Sequence, residues 1–168
     1  MKNYLSILFL FSLSFCFSQA TTELTPTGFP SVSFEKPQRT PEKLIERARS
    51  WALSYNRNSD GAVDVYDVTD TSLNIDAFRN KAFYYRNRGE LYSHRIRYTL
   101  KIVFDEKSYS VGFILKEVYS DNRLTTLTTA DFFAPDGRLK EDYEEVKPSL
   151  ESTANTIINS FATFMASE

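Results

Sequence analysis

Apolar and polar residues alternate through the stretch that begins at Arg95. The apolar positions are Ile96, Tyr98, Leu100, Ile102 and Phe104. The intervening positions are Arg95, Arg97, Thr99, Lys101 and Val103. Because successive side chains of a strand point to opposite faces, this period of two predicts a strand with one buried face and one face in water.

A second strand follows after a short polar turn. The turn is Asp105-Glu106-Lys107, and the apolar positions beyond it are Tyr109, Val111, Phe113 and Leu115. The two stretches together predict an antiparallel hairpin. Gly112 falls on the outward side, where the missing Cβ allows a bulge or a close approach by other parts of the chain.

Two segments have the spacing of amphipathic helices. The first has Thr40 as its N-cap and Pro41 at its first helical position. Its apolar positions are Leu44, Ile45, Ala48, Trp51, Ala52 and Tyr55. The second runs from about Pro148 to Ala166, and its apolar positions are Leu150, Ala154, Ile157, Ile158, Phe161 and Met165. This three-to-four residue repeat predicts one buried face on each helix.

Three further stretches complete the predicted order. Ser31 to Glu35 predicts a short strand, Ala62 to Thr69 a second, and the residues from Leu73 toward Phe83 a third. Residues 120–140 have no clear period. The predicted order is β-α-β-β-β-β-α, and the predicted architecture is a two-layer α+β domain with two helices packed on one face of an antiparallel sheet.

The N-terminus is typical of a secretory signal peptide. Lys2 precedes an apolar stretch that ends at Phe17 and is followed by Ser18-Gln19-Ala20. The stretch is short for a bilayer, so residues 1–20 predict a cleaved signal peptide, with an uncleaved anchor as the alternative. We therefore expect export to the periplasm, the envelope or the medium, with no transmembrane segment in the mature chain. Residues 21–30 predict a flexible lead-in, and residues 31–168 a single domain.

Composition narrows the chemistry further. The net charge is −2, which does not indicate a nucleic-acid partner, and the 15% aromatic content favours a β-rich core. Cys16 is the only cysteine, so cleavage at about residue 20 leaves no thiol for a disulfide, a metal or a nucleophile. No cofactor is predicted. Cys16 also leaves lipidation open as an alternative, although Phe15 fits a lipoprotein cleavage box poorly.

The order of elements resembles an exported bacterial family catalogued as domain of unknown function 4468. The matching pieces are the short strand Val32-Ser33-Phe34, the helix that begins at Pro41, the hairpin of 98–102 with 109–111, and the closing helix. The stretch from Ala77 to His94 is longer and more basic than the family pattern. The resemblance implies a TBP-like fold, after the TATA-binding protein, and implies no activity, because fold and function separate readily.

The polar turn after the first helix matches part of a calcium loop. Asn56, Asn58, Asp60, Gly61, Asp64 and Asp67 occupy positions 1, 3, 5, 6, 9 and 12 of such a loop. Position 1 lacks a charge, position 12 has a shorter side chain than the usual Glu, and a strand rather than a helix is predicted to follow. The alternative is a helix stop followed by a polar turn.

A basic surface is the second candidate. Basic residues crowd one third of the chain, with tyrosines interleaved: Arg79, Lys81, Arg86, Arg88, Arg95, Arg97, Lys101, Tyr84, Tyr85 and Tyr92. Arg95, Arg97 and Lys101 share the outward face of one strand, so we expect them to contact an anionic ligand or an envelope protein. The alternative is a solvated face whose charges prevent aggregation.

Two weaker candidates remain. His94 is the only histidine and lacks the partners of a catalytic triad or a zinc site, so it predicts an exposed residue at a strand edge. The acidic run Glu141-Asp142 and Glu144-Glu145 predicts a solvated segment.

The sequence as a whole favours a small non-catalytic binding module that acts through the open face of its sheet. The alternatives are a structural or assembly component of the cell envelope and a carboxylate-dependent hydrolase, which needs two acidic side chains close together in a pocket.

Overall fold

The computed structural model describes residues 20–59, 61–87 and 89–167, so the predicted signal peptide lies outside the described residues, apart from Ala20. The strands are Val32–Glu35 (β1), Asp64–Tyr66 (β2), Ser72–Asn87 (β3), Glu90–Phe104 (β4), Ser108–Ser120 (β5) and Arg123–Leu124 (β6). The helices are Pro41–Tyr55 (α1) and Val146–Ala166 (α2), and two 3₁₀ turns lie at Thr129–Phe132 and Glu141–Tyr143. The predicted order is confirmed, with β6 as a short addition.

The strands of the described residues form one antiparallel sheet in the order β1-β5-β4-β3-β2, and β6 pairs with the end of β5. The predicted hairpin is β4 with β5, in which Phe104 pairs with Tyr109 and Ile102 with Val111. The predicted strand from Ala62 to Thr69 is only three residues long, because the backbone of Asp67 turns to a φ of 51° and ends the extended conformation.

One face of the sheet is covered by both helices. The even-numbered side chains of β4 from Ile96 to Phe104 are buried against them, as the alternation predicts. On α2, every residue of the predicted apolar stripe is buried, and Trp51 of α1 meets Phe161 of α2 edge to face. Burial of these aromatic and aliphatic side chains supplies the main driving force for the fold.

Two irregularities interrupt the ladder, and the one in β5 changes which side chains face the helices. Arg97 pairs with Glu117 whereas Tyr98 pairs with Leu115, so β5 has an extra residue at this point. Before the bulge the inward positions are odd-numbered, and after it Val118 is buried. A second irregularity in β3 lies between Arg79 and Phe83, where Lys81 has a φ of 49°.

Two arginines hold the C-terminal end of α2. Arg47 of α1 donates hydrogen bonds to the carbonyl oxygens of Phe164 and Ser167, and Arg39 donates to those of Met165 and Ser167. The last carbonyls of a helix have no partner within it and carry partial negative charge. The two guanidinium groups therefore fix α2 against the start of α1.

The stretch without a clear period covers the far end of the inner face. We call residues 126–144 the cover segment. Its own backbone hydrogen bonds hold it together, including Lys140 N to Phe132 O and Ala134 N to Arg138 O. Phe132 and Tyr143 are its anchors: Phe132 lies edge to face on Phe83, and Tyr143 packs on Tyr85.

The segment from Thr21 to Pro30, for which composition predicts flexibility, lies along α2. The backbone N–H of Thr22 donates to Asn155, and that of Leu24 donates to Glu151, both at hydrogen-bond distance. Thr22 and Leu24 are buried. Side chains of α2 supply the partners that a strand ladder would otherwise give this segment.

Candidate functional site

The face of the sheet away from the helices carries a connected cluster of charged and polar side chains. Arg97 of β4 donates to Asp76 Oδ2 on β3 at 2.9 Å and to Glu117 Oε1 on β5 at 3.3 Å. Asp76 also accepts hydrogen bonds from the hydroxyl groups of Tyr66 and Thr99. Neighbouring strands thus bring two carboxylates to one guanidinium.

The two carboxylates stabilise the positive charge of Arg97. Burial opposes the charge on Arg97, but Asp76 and Glu117 outweigh it and raise the pKa of the guanidinium above its ordinary value. Asp76 is 5% exposed and Thr99 is 3% exposed, although both point away from the helices. Hydrogen bonds and the salt bridge satisfy a carboxylate that is expensive to bury alone.

Arg95 is the second predicted contact residue. Its guanidinium lies over the ring of Phe78 at 4.3 Å and near the ring of Tyr119 at 5.6 Å. The Tyr119 hydroxyl donates to Glu117, which links this stack to the Arg97 cluster. Neighbouring side chains on the same face therefore hold both arginines in position: aromatic rings hold Arg95, and carboxylates hold Arg97.

The loop after α1 packs on this stack. At Gly61, an added Cβ would lie 2.3 Å from Cδ2 of Phe78. Only glycine permits this approach. The loop thus presses on the ring on which Arg95 rests.

Lys101 is the third predicted contact residue and is exposed on the same face. It pairs with Gly112 of β5, where an added Cβ would be 3.0 Å from the Ser31 hydroxyl. The close approach expected at Gly112 is therefore made by Ser31. The surface beside Lys101 is therefore formed by two small residues, Gly112 and Ser31, which we call the small floor.

Asn56, the first position of the predicted calcium loop, is buried and engaged elsewhere. Asn56 is 6% exposed, and its amide donates to the carbonyl of Ala52 while its Oδ1 accepts from the Tyr98 hydroxyl. Asp67 accepts a hydrogen bond from Asn74 across β2 and β3. Asp60 of the predicted loop lies outside the described residues. Across residues 20–59, 61–87 and 89–167, no group of three or more histidine, cysteine, aspartate or glutamate side chains is placed to hold a metal.

The prediction for His94 was wrong. His94 is 6% exposed, and its ring stacks on Phe83 with 4.8 Å between centroids and an angle of 1° between planes. Burial lowers the pKa of the imidazole, an effect that the charge of Asp121 opposes. The strand extends past Arg95 to Glu90, so the inward parity of β4 includes residue 94.

Other predicted charges lie apart from the cluster. Arg86 forms an exposed salt bridge with Glu145 at 2.9 Å, which joins the basic stretch to the end of the acidic run. Tyr92 donates to Glu90 at the tip of the β3–β4 hairpin. Glu141 and Asp142 lie exposed in the second 3₁₀ turn.

Sequence reasoning missed Asp76 and Glu117. Asp76 has a signal in its alternation with Ile75 and Ala77, which marks it as outward, but nothing in the sequence pairs it with Arg97. That pairing needs the register between β3 and β4. Glu117 lies just past the β5 bulge, which places it beside Arg97 and is not visible in the alternation.

Comparison with solved structures identifies the fold. A DUF4468 family protein from Bacteroides ovatus ATCC 8483 matches with a TM-score of 0.53 and 10% identity, over 83% of this chain and 86% of that one. This chain has the DUF4468 fold. A TBP-like protein from Parabacteroides distasonis ATCC 8503 matches with a TM-score of 0.46 and 14% identity, over 83% of this chain and 93% of that one.

The DUF4468 resemblance is thus confirmed for the fold, and at this level of identity it carries no activity with it. No protein-family model matches the sequence, and no curated protein is significantly similar to it. Among the helices of the described residues, none has both the length and the hydropathy to cross a bilayer.

Proposed function

We propose that this protein is an exported, non-catalytic binding module that holds an acidic partner on its open sheet face, at Arg95, Arg97 and Lys101. The observation that carries the proposal is that β4 places three cationic side chains in one row, two of them fixed by neighbours before any ligand arrives.

Fixed arginines favour binding because their conformational entropy is already lost. Ordering a long side chain at an interface costs about 0.5–1.5 kcal/mol. Asp76 and Glu117 fix Arg97, and the ring of Phe78 fixes Arg95. Arg97 keeps 37% of its side-chain surface exposed, so part of its guanidinium still faces solvent.

Lys101 gives the row its adaptable charge. It is exposed beside the small floor of Gly112 and Ser31, where a partner meets little steric hindrance. The protein has a net charge of −2, so attraction to an anionic partner needs a local cluster rather than the overall charge. On this face the three cations of the row outnumber the two carboxylates bound to Arg97, which leaves a local excess of positive charge.

The hydrolase alternative rests on Asp76 and Glu117, which are brought together on Arg97. Both carboxylates are already engaged by the same guanidinium, and Asp76 also accepts two hydroxyl hydrogen bonds. Such acceptors are poorly placed to take or give a proton to a substrate. A binding role therefore fits this cluster better.

Retention on immobilised heparin, used as a polyanionic probe, tests the proposal. We expect the wild type to be retained at low salt and Lys101→Glu to elute at lower salt. Lys43→Glu makes the same charge change on the exposed side of α1 and is the matched control, with elution close to that of the wild type. Retention that survives charge reversal at Arg95, Arg97 and Lys101 in a variant with a native circular dichroism spectrum would rule out this face.

Export is tested separately with the full-length chain. We expect the periplasmic or secreted product to begin at Thr21 or one or two residues earlier. A product that begins at Cys16 and partitions into detergent would instead indicate lipidation. Light scattering of the purified protein addresses the envelope-component alternative, which requires a stable oligomer.

A further inference from the structure

The attachment of the cover segment to the sheet relies on side chains rather than on backbone hydrogen bonds. Within the described residues, the backbone-to-backbone hydrogen bonds of 126–144 are all made inside the segment, and the last such bond before it joins Thr125 N to Val118 O. Just past its end, Glu145 forms an exposed salt bridge with Arg86, and such pairs contribute little. The segment is therefore held down mainly by apolar side chains, of which the rings of Phe132 and Phe133 are buried.

Those anchors rest on rings that also enclose His94. Phe132 lies on Phe83, and Phe83 stacks directly on His94. Tyr143 packs on Tyr85, whose ring meets the His94 ring edge to face at 6.5 Å between centroids. The imidazole thus lies at the base of the aromatic cluster that docks the cover segment.

The imidazole has an unsatisfied polar atom in this cluster. His94 Nδ1 is buried and has no hydrogen-bond partner in the part of the chain that the structure describes. A buried neutral nitrogen without a partner is tolerated at moderate cost, whereas a buried charge without a partner costs far more.

The charged and titratable groups around His94 do not remove this cost. From β3, Tyr85 faces it with an aromatic edge, and from the turn after β5 only the carboxylate of Asp121 acts on it at a distance. The cover segment contributes Tyr143 behind Tyr85, with Asp131 and Asp142 acting on that tyrosine. No hydrogen bond or ion pair joins His94 to these groups in the described residues, so the proton on His94 lacks a close counter-charge.

We propose that protonation of His94 releases the cover segment from the sheet, so that the segment is an acid-opened flap. Opening lets water reach the imidazolium and frees it to approach Asp121, while the internal hydrogen bonds of the flap stay intact. The packing between α1 and α2 around Trp51 does not involve His94 and stays intact.

Hydrogen exchange followed by mass spectrometry tests the flap, with rates corrected for the intrinsic effect of pH. For the purified wild type we expect protection of peptides in 126–144 to fall as pH decreases below about 6.5, by at most about tenfold per pH unit for a single proton. In His94→Phe, which keeps an aromatic ring but cannot take a proton, protection should stay constant. The same loss of protection in both proteins, or no loss in the wild type, would overturn the proposal.

Two further readouts separate flap opening from general unfolding. Trp51, the only tryptophan, packs on Tyr55 and Phe161 at the helical end, so its fluorescence should stay unchanged while the flap opens. If His94→Phe does not fold, the imidazole of the wild type can be titrated by NMR. Resonances of the flap should then shift with the His94 midpoint, and shifts without that coincidence would contradict the proposal.

Discussion

Arg97 and Asp76 lie 21 positions apart in the sequence and meet at 2.9 Å on the outer face of the sheet. The pair is asymmetric. The Asp76 side chain is 8% exposed, whereas that of Arg97 is 37% exposed. Asp76 therefore depends on Arg97 for its counter-charge, while Arg97 retains access to water.

Replacing Arg97 should destabilise the protein through Asp76. Arg97→Met keeps much of the side-chain volume but leaves the buried carboxylate without its guanidinium, and we expect the free energy of unfolding to fall by about 2 kcal/mol. Urea denaturation measures this change. Arg49→Met, on the exposed side of α1, is the matched control and should change stability by less than about 0.5 kcal/mol. Equal effects of the two substitutions would show that the buried carboxylate does not need Arg97.

A methyl group at position 61 should collide with Phe78. Gly61→Ala places a Cβ within 2.3 Å of the ring, so the loop or the ring must move, and we expect a loss of about 1–3 kcal/mol in thermal or chemical denaturation. The double variant with Phe78→Ala should lose less than the sum of the two single changes, because the collision is absent. Simple additivity would mean that Gly61 does not pack on this ring.

The C-terminal turn of α2 should loosen when one of its two arginine partners is removed. Arg47→Met deletes the donors to the carbonyls of Phe164 and Ser167 but keeps an apolar side chain, and we expect a loss of about 1 kcal/mol. Hydrogen exchange should become faster in the last turn of α2 and remain unchanged in the sheet. Uniform acceleration across the protein would indicate a general packing defect instead.

Alkaline stability should depend on Tyr109. Burial raises the pKa of its hydroxyl, whereas an unfolded tyrosine titrates near its ordinary pKa of about 10. The folded state thus binds the proton more tightly, so the stabilisation is complete below pH 10 and is lost as the pH rises above that value. Tyr109→Phe should flatten the decline in the free energy of unfolding between pH 10 and 12. An unchanged slope would show that other groups control alkaline unfolding.

The patterns that repeat along the chain predict most of the fold. Alternation in β4 and β5 and helical spacing around Trp51 and Phe161 identify the layers, because burial of one face imposes a period. His94 shows how a boundary error propagates: it shares the parity of Ile96, but a strand assumed to begin at Arg95 leaves it outside. Extending the same alternation by two residues would have placed it inward.

Features that depend on register could not be predicted in the same way. Asp76 and Glu117 reach Arg97 only because three strands are aligned and β5 contains a bulge. The cover segment has no period because its anchors, Phe132 and Tyr143, are separate rings held by short turns. The predicted row of Arg95, Arg97 and Lys101 follows from alternation alone, and whether it binds a partner stays a prediction.

The hydrogen bonds of α2 have a consequence for the order in which the molecule can form. Thr22 and Leu24, near the start of the described chain, take their partners from Asn155 and Glu151, and Arg39 and Arg47 are satisfied only at 164–167. A ribosome must therefore synthesise nearly the whole polypeptide before its early residues can find their native contacts. Until then the layer formed by α1, α2 and the segment before β1 cannot close, whereas the hairpins of β3, β4 and β5 need only their own residues.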